Sequence, residues 1–131
     1  MLVYAAGKFS AQARLREEAR LLEDLDPSIE VVSSWLWSTE PDEAPPEARA
    51  GYAERDLGEI READVLILDT LDESNTGGRE VELGYAIATG KKLSLVGPPR
   101  NVFHNLLKGQ YASWDELRSS IQSALSSEPV S

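Results

Sequence analysis

Short apolar runs alternate with amphipathic helical segments along this chain, and this alternation constrains its fold more than any other feature. The apolar runs lie at 2–6, 29–33, 64–69 and 92–96, and helical periodicity fills most of the sequence between them. A repeated β-α-β order is typical of a parallel sheet that carries helices on both faces. The sequence therefore predicts an α/β fold with four strands in a central parallel sheet and a last helix after a loop.

Helix boundaries are predicted from capping and breaking residues. Ser10 is expected to cap a helix that Pro27 stops, and Ser113 with Glu116 has the spacing of a capping box for the last helix. A helix is predicted from about Pro46 to Ala63, and another from about Arg79 to Thr89. Gly90 is expected to end the latter in the left-handed conformation. The proline- and acid-rich segment 38–47 is predicted to be a mobile loop.

Composition restricts the chemistry that this chain can perform. Its 131 residues suit one domain, which we place at 1–126, with a short disordered tail at 127–131. The net charge of −10 would repel long nucleic acid, and no apolar run is long enough to span a bilayer. The chain has no cysteine, which fits a cytoplasmic location and excludes thiolate chemistry. His104 is the only histidine, so we expect carboxylates to carry the chemistry and predict no metal site.

The unusual residues of this chain follow the predicted strands. In open parallel sheets, ligands bind beyond the carboxyl ends of the strands, at the point where the strand order reverses. These ends carry glycine, aromatic and polar residues at 7–9, 35–37, 69–78 and 97–104. We therefore expect a binding site at this edge of the sheet.

Glu82 is the first candidate for chemistry. It lies in the first turns of a helix that follows Gly77 and Gly78, where the helix dipole favours a negative charge, and an ionised carboxylate there could attack a sugar carbon. Glu80 lies about 200° around the same helix, so these two acids cannot form a pair. Taken alone, the spacing favours the alternative that both are solvated acids.

Asp56 is the second candidate. It lies within a predicted helix, although aspartate is a mediocre helix former. Without further context we prefer the alternative that it is a surface acid paired with Arg55 or Arg61.

Four other residues leave two interpretations open. Trp35 could stack on a nucleobase, but core packing or an interface explains Trp35 and Trp37 equally well. Lys8 could meet a phosphate or a hydroxyl group, or be solvated. His104 could contact a ligand, but more often such a residue caps or packs a loop.

Four segments together resemble the nucleoside 2-deoxyribosyltransferase superfamily, which includes the 2′-deoxynucleoside 5′-phosphate N-hydrolases. They read VYAAGKF (3–9), RDLGEIREADVLIL (55–68), GGREVELGYAIATGKKLSLVG (78–97) and GPPRNVFH (97–104). The run from Glu82 to Ala86, followed by Gly90 and Lys91, is the most specific part.

The resemblance implies a flavodoxin-like three-layer sandwich and cleavage or transfer at an N-glycosidic bond. Glu82 would be the nucleophile that forms a covalent glycosyl intermediate, and Asp56 would orient it and contact the sugar or take part in proton transfer. No cofactor is implied, and subunits of a homodimer or larger homo-oligomer would complete each site. Together with the pattern of residues at the strand ends, the resemblance predicts the following contacts to a small nucleoside or nucleotide: Ala6, Gly7, Lys8, Phe9, Trp35, Asp69, Thr76, Gly77, Gly78, Asn101 and His104.

Thr76 departs from the transferase pattern, which has an aspartate in this loop for the leaving base. The N-hydrolases have a small hydroxyl residue there that serves a phosphate, so Thr76 admits a nucleotide substrate or hydrolysis. Two alternatives from other classes stay open. One is a nucleotide-sensing module without turnover, and the other is a subunit whose tryptophans and acidic loop serve a protein partner.

Overall fold

The computed structural model describes residues 1–38, 45–73 and 77–126. The strands are β1 (Leu2–Ala6), β2 (Glu30–Val31), β3 (Val65–Asp69), β4 (Lys92–Val96) and β5 (Gly109–Tyr111). The α-helices are α1 (Gln12–Glu23), α2 (Pro46–Glu62), α3 (Gly78–Ala88) and α4 (Trp114–Ser126), and 3₁₀ turns lie at Phe9–Ala11, Ser34–Trp37 and Val102–Leu106. Most of the predicted loop 38–47 and the predicted tail 127–131 lie outside the described residues.

The strands form one parallel sheet in the order β2-β1-β3-β4-β5. This order is flavodoxin-like, as predicted, and places β1 beside β3 at the point where the direction of the connections reverses. The prediction of four strands was wrong, because β5 pairs with β4 through Gly109–Tyr111. Its sequence, Gly-Gln-Tyr, has no apolar run, and only pairing with β4 makes it a strand.

Helices cover both faces of the sheet. The connection through α1 runs from β1 to β2 in one direction, whereas those through α2 and α3 run in the other. Because such crossovers are right-handed, opposite directions place the helices on opposite faces. Contacts agree with this arrangement, since Arg118 of α4 forms an ion pair with Glu18 of α1, and α2 packs against α3. The result is the three-layer sandwich that the resemblance implies.

The core lies between these layers and is centred on β1 and β3. Strand β3 contributes the consecutive buried residues Leu66, Ile67 and Leu68, as expected of a central parallel strand. Helix α1 buries the stripe Leu15, Ala19 and Leu22 against the sheet. None of the helices within the described ranges is long and apolar enough to cross a bilayer.

Most of the predicted helix boundaries hold. The Glu116 amide donates to Ser113 Oγ at 3.2 Å, so Ser113 caps α4 as predicted, and the Glu116 carboxylate accepts from the Ala112 amide, one residue before the partner it has in a capping box. Gly90 has a φ of 73°, the left-handed conformation expected after α3. The prediction for Ser10 was wrong, because a 3₁₀ turn at Phe9–Ala11 precedes α1 and contains this residue.

Candidate functional site

A pocket of about 370 Å³ opens beyond the carboxyl end of β1, between α2 and α3. This volume falls within the range that small-molecule ligands use. Ten residues line the pocket, and six of them belong to the predicted site. The lining residues are Gly7, Phe9, Trp35, Ala53, Asp56, Leu57, Gly78, Arg79, Val81 and Glu82.

Glu82 reaches this pocket because of how α3 begins. Gly77 precedes the helix with a φ of 78°, and α3 then starts at Gly78. Leu83 and Ala86 are buried against the sheet, which turns the neighbouring Glu82 towards β1. Its carboxylate accepts a hydrogen bond from the hydroxyl group of Tyr4, a fully buried residue of β1.

The ionisation of Glu82 is controlled by burial and by three neighbours. Burial, which has the largest effect, and the like charges of Asp56 and Glu59 together raise the pKa of Glu82 to about 8, against the hydrogen bond from Tyr4, which lowers it. Burial and the charge of Glu82 also raise the pKa of Tyr4. The tyrosine therefore stays protonated and donates to the carboxylate.

Asp56 faces the same pocket from α2. Its Oδ1 accepts from Nε and Nη2 of Arg55, at 3.2 and 3.0 Å. The pairing with Arg55 that we considered as an alternative is thus present, and so is the pocket position that the resemblance implies. The structure brings Asp56 and Glu82 together on two adjacent helices.

Aromatic side chains form another wall of the pocket. The ring centroids of Phe9 and Trp35 lie 6.2 Å apart at an angle of 35°, and Trp35 Nε1 donates to the Ala5 carbonyl at 2.7 Å. Trp35 and Trp37 lie in a 3₁₀ turn, not along a strand end, so only Trp35 is buried and Trp37 is 53% exposed. A rigid, partly apolar wall of this kind suits a flat heterocycle.

Glu80 belongs to a separate cluster, as the helical spacing predicts. His104 is fully buried and its Nε2 lies 2.9 Å from Glu80 Oε1, while its Nδ1 accepts from the Arg100 amide at 2.9 Å. Because Nδ1 accepts, Nε2 carries the proton that is donated to Glu80. Asn101 caps the turn that contains His104 and also donates to Glu80. Asn101 and His104 thus hold this turn against α3 and do not line the pocket, and their contact with a substrate stays a prediction.

Asp69 lies at the carboxyl end of β3 and connects several elements. It is 2% exposed and accepts from Arg14 of α1 at 2.8 Å and from Trp114 Nε1 of α4 at 2.7 Å. Arg79 is also buried and donates to the carbonyls of Asp69 and Asp72. These contacts fix the strand end, and a role of Asp69 in binding substrate stays a prediction.

The remaining predicted residues surround this edge of the sheet. Ala6 is fully buried at the end of β1, Lys8 is partly buried, and Gly77 is exposed at the start of α3. Thr76 lies outside the described residues. Within the described ranges, no group of three acidic or histidine side chains is arranged to hold a metal ion.

Tyr4 is the main site residue that sequence reasoning missed. Its ring is buried in the core, but its hydroxyl group contacts Glu82. A signal was present, because the hydroxyl of a buried tyrosine usually requires a partner. Nothing in the sequence identified that partner, which lies on α3.

Comparisons with known proteins give structural matches but no sequence match. No protein-family model and no curated protein matches this chain. The structure of 2-deoxyribosyltransferase from the bacterium Bacillus psychrosaccharolyticus matches with a TM-score of 0.71 and 21% identity, over 90% of each chain. A conserved protein from Enterococcus faecalis V583 matches with a TM-score of 0.71 and 19% identity, over 95% of this chain and 98% of the other.

A third structure, the CMP N-glycosidase BcmB of Clostridium botulinum, matches with a TM-score of 0.57 and 17% identity. The match covers 94% of this chain and 99% of that protein. At these identities the likeness concerns the fold. The chain has the fold of 2-deoxyribosyltransferases and of this CMP N-glycosidase.

Proposed function

We propose that this protein cleaves or transfers the N-glycosidic bond of a nucleoside or nucleotide, with Glu82 as the nucleophile. The observation that carries the proposal is the pairing of Glu82 with Tyr4 in a pocket that Asp56 also lines. The shared fold supports it, because 2-deoxyribosyltransferase and CMP N-glycosidase both act on bonds of this kind by their names.

In the first step, a Glu82 carboxylate oxygen attacks C1′ of the sugar. The new C1′–O bond forms as the C1′–N bond breaks through an oxocarbenium-like transition state, and the base leaves with the electron pair and takes up a proton from water. Tyr4 holds the carboxylate in one orientation. Asp56 lies where it could accept a hydrogen bond from a sugar hydroxyl group.

In the second step, water or a second base attacks C1′ from the opposite side. The C1′–O bond to Glu82 breaks, the carboxylate recovers its electron pair, and the configuration at C1′ is retained overall. Water yields the free sugar and a second base yields a new nucleoside, and the attacking group releases one proton to the solvent, which balances the proton that the leaving base took up. Phe9 and Trp35 offer an apolar wall for the base in either case.

The direct test is chromatographic. Wild type, Glu82→Gln and the control Glu62→Gln, which changes an exposed acid at the end of α2, are incubated with deoxynucleosides and their 5′-monophosphates, with and without a free base. We expect base release or exchange in wild type and in the control, and a loss of at least about a thousandfold in Glu82→Gln. Equal rates in both variants, or no release from any substrate by wild type, would sink the assignment of Glu82.

A second candidate is a nucleotide-binding module without turnover. The raised pKa of Glu82, about 8, favours it, because a neutral carboxyl group at pH 7 is a poor nucleophile. Calorimetric titration distinguishes the two candidates, since saturable binding with no base release between pH 6 and pH 9 would establish the module.

We also propose that the protein forms a homodimer or larger homo-oligomer. Four exposed apolar side chains lie on α3 and the neighbouring 3₁₀ turn, and we name them the α3 apolar face: Val81, Val102, Phe103 and Leu106. Val81 also lines the pocket. A second subunit on this face would close the pocket on that side.

The absence of cysteine supports a cytoplasmic location, which stays a prediction.

A further inference from the structure

Arg55 binds the carboxylate of its own neighbour in the chain. Its Nε and Nη2 both donate to Asp56 Oδ1, at 3.2 and 3.0 Å, and both residues lie on α2. Side chains of consecutive helical residues do not face each other. This contact therefore needs the guanidinium to turn back along the helix, which an ordinary pair of surface charges does not require.

Tyr52 supports Arg55 in this position. The central guanidinium carbon of Arg55 lies 5.5 Å from the centroid of the Tyr52 ring, and the spacing of three residues places both side chains on one face of α2. The ring attracts the cation through its electron-rich face. Arg55 is thus held by an aromatic ring and by a carboxylate at the same time.

Charged and titratable groups from three elements surround Glu82. Strand β1 contributes Tyr4, which donates to Glu82, and α3 contributes the buried Arg79, which donates to backbone carbonyls. Helix α2 contributes Asp56 and Glu59, and the negative charge of each opposes ionisation of Glu82. Arg55 places a cation against one of these two acids, Asp56.

We propose that Arg55, supported by Tyr52, is a positioning residue that fixes Asp56 in the pocket and offsets its charge, so that Glu82 ionises more readily. A positive charge 3.0 Å from Asp56 weakens the repulsion that Asp56 exerts on a second carboxylate in the same pocket. The link to catalysis rests on the proposed function, whereas the effect on Glu82 does not.

The test measures the titration of Glu82 without turnover. Carboxyl carbons of glutamate are labelled with ¹³C, the Glu82 resonance is identified by its loss in Glu82→Gln, and its midpoint is followed with pH. We expect Arg55→Ala to raise this midpoint by at least about half a pH unit, because the charge of Asp56 is no longer offset. Arg55→Lys should restore part of the difference, and Tyr52→Leu should give a smaller rise.

Arg49→Ala is the matched control, since it removes an exposed arginine from the first turns of the same helix. A midpoint in Arg55→Ala equal to that in Arg49→Ala would overturn the proposal. If Arg55→Ala does not fold, Tyr52→Leu decides, and an unchanged midpoint there overturns it too.

Turnover is measured separately across the same pH range. In an active wild type, Arg55→Ala should lower kcat/KM by at least about threefold at pH 7, since half a pKa unit corresponds to this factor, and the rate should recover towards wild type above the new midpoint. A shifted midpoint in a protein without turnover would support the role of Arg55 and contradict the proposed function, so the two failures are distinguishable.

Discussion

Tyr4 and Glu82 form a buried pair in which each group controls the protonation of the other. The carboxylate keeps Tyr4 protonated, and the hydroxyl group partly offsets the cost of ionising Glu82. Hydrogen bonds to charged groups are stronger than those between neutral groups. At the scale of residues, burial and this pairing set the pH range over which Glu82 is ionised.

Replacement of Tyr4 should move the pH dependence of the reaction. Tyr4→Phe removes the hydrogen bond that lowers the pKa of Glu82, so this pKa should rise above its value of about 8. The expected result is a midpoint of kcat/KM at higher pH and a loss of about tenfold at pH 7, since one pKa unit corresponds to a factor of ten. Rates from pH 6 to pH 10 provide the measurement, and Tyr111→Phe is the control because Tyr111 pairs with Ser120. Superimposable profiles for wild type and Tyr4→Phe would contradict this role.

Replacement of Glu82 should make the protein more stable at high pH. The pKa of Glu82 is raised from 4.5 to about 8 on folding, so the folded protein binds this proton more tightly than the unfolded chain. The stability contributed by the neutral carboxyl group is present below pH 4.5 and is lost as the pH rises through about 8. A neutral glutamine avoids this loss.

Urea unfolding at pH 5.5, 7 and 9 tests this sign. The free energy of unfolding of Glu82→Gln should exceed that of wild type by an amount that grows with pH. This difference should reach at most about 5 kcal/mol, since each pKa unit is worth about 1.4 kcal/mol. Glu62→Gln, an exposed acid at the end of α2, is the control. A difference that is constant with pH would show that folding does not raise the pKa of Glu82.

At the scale of elements, two adjacent glycines at the start of α3 differ in backbone conformation. Gly77 has a φ of 78°, where a side chain is strained, and Gly78 begins the helix. An added Cβ would meet no atom within 4 Å at either position. Conformation alone therefore distinguishes the two sites.

We expect Gly77→Ala and Gly78→Ala to change stability in opposite directions. Gly77→Ala should lower the free energy of unfolding by about 1–2 kcal/mol, because the left-handed conformation costs this amount for an alanine. Gly78→Ala should raise it by up to about 1 kcal/mol, because alanine favours the helix over glycine. Chemical denaturation measures both, and a stabilised Gly77→Ala protein would show that the start of α3 is not constrained in this way.

At the scale of the whole molecule, the α3 apolar face is an exposed apolar area on a protein whose net charge is −10. Phe103 lies over a groove that Leu83 and Ile87 of α3 also line, and it is 61% exposed. Apolar area of this kind is typical of protein interfaces. Because two copies of an acidic protein repel each other, self-association is expected only where an uncharged surface such as this face can be buried.

Sedimentation velocity at micromolar concentration tests the proposed assembly. We expect a homodimer or larger species in wild type and a monomer in Phe103→Glu, because a buried charge on each subunit would oppose contact. Trp37→Glu is the control, since Trp37 is exposed beside α1, away from this face. A monomeric wild type would contradict the proposal and leave the face for another partner.

Much of the fold was predictable because its determinants are local. The apolar run of β3 and the apolar stripe of α1 predict burial from their own sequence patterns. Gly90 and the Ser113–Glu116 pair predict helix ends to within a few residues. The position of Glu82 relative to Glu80 also follows from helical geometry alone. Nothing local marks β5, whose three residues become a strand only beside β4.

The sequence by itself determined the alternation of strands and helices and the net negative charge, and it singled out carboxylates as the candidates for chemistry. Only the tertiary structure decided which distant side chains meet: Tyr4 of β1 with Glu82 of α3, and Asp69 of β3 with Arg14 and Trp114. It also turned His104 inwards to Glu80. The physical reason is that periodicity is a property of neighbouring residues, whereas burial, pKa and contact depend on elements that pack together from distant parts of the chain.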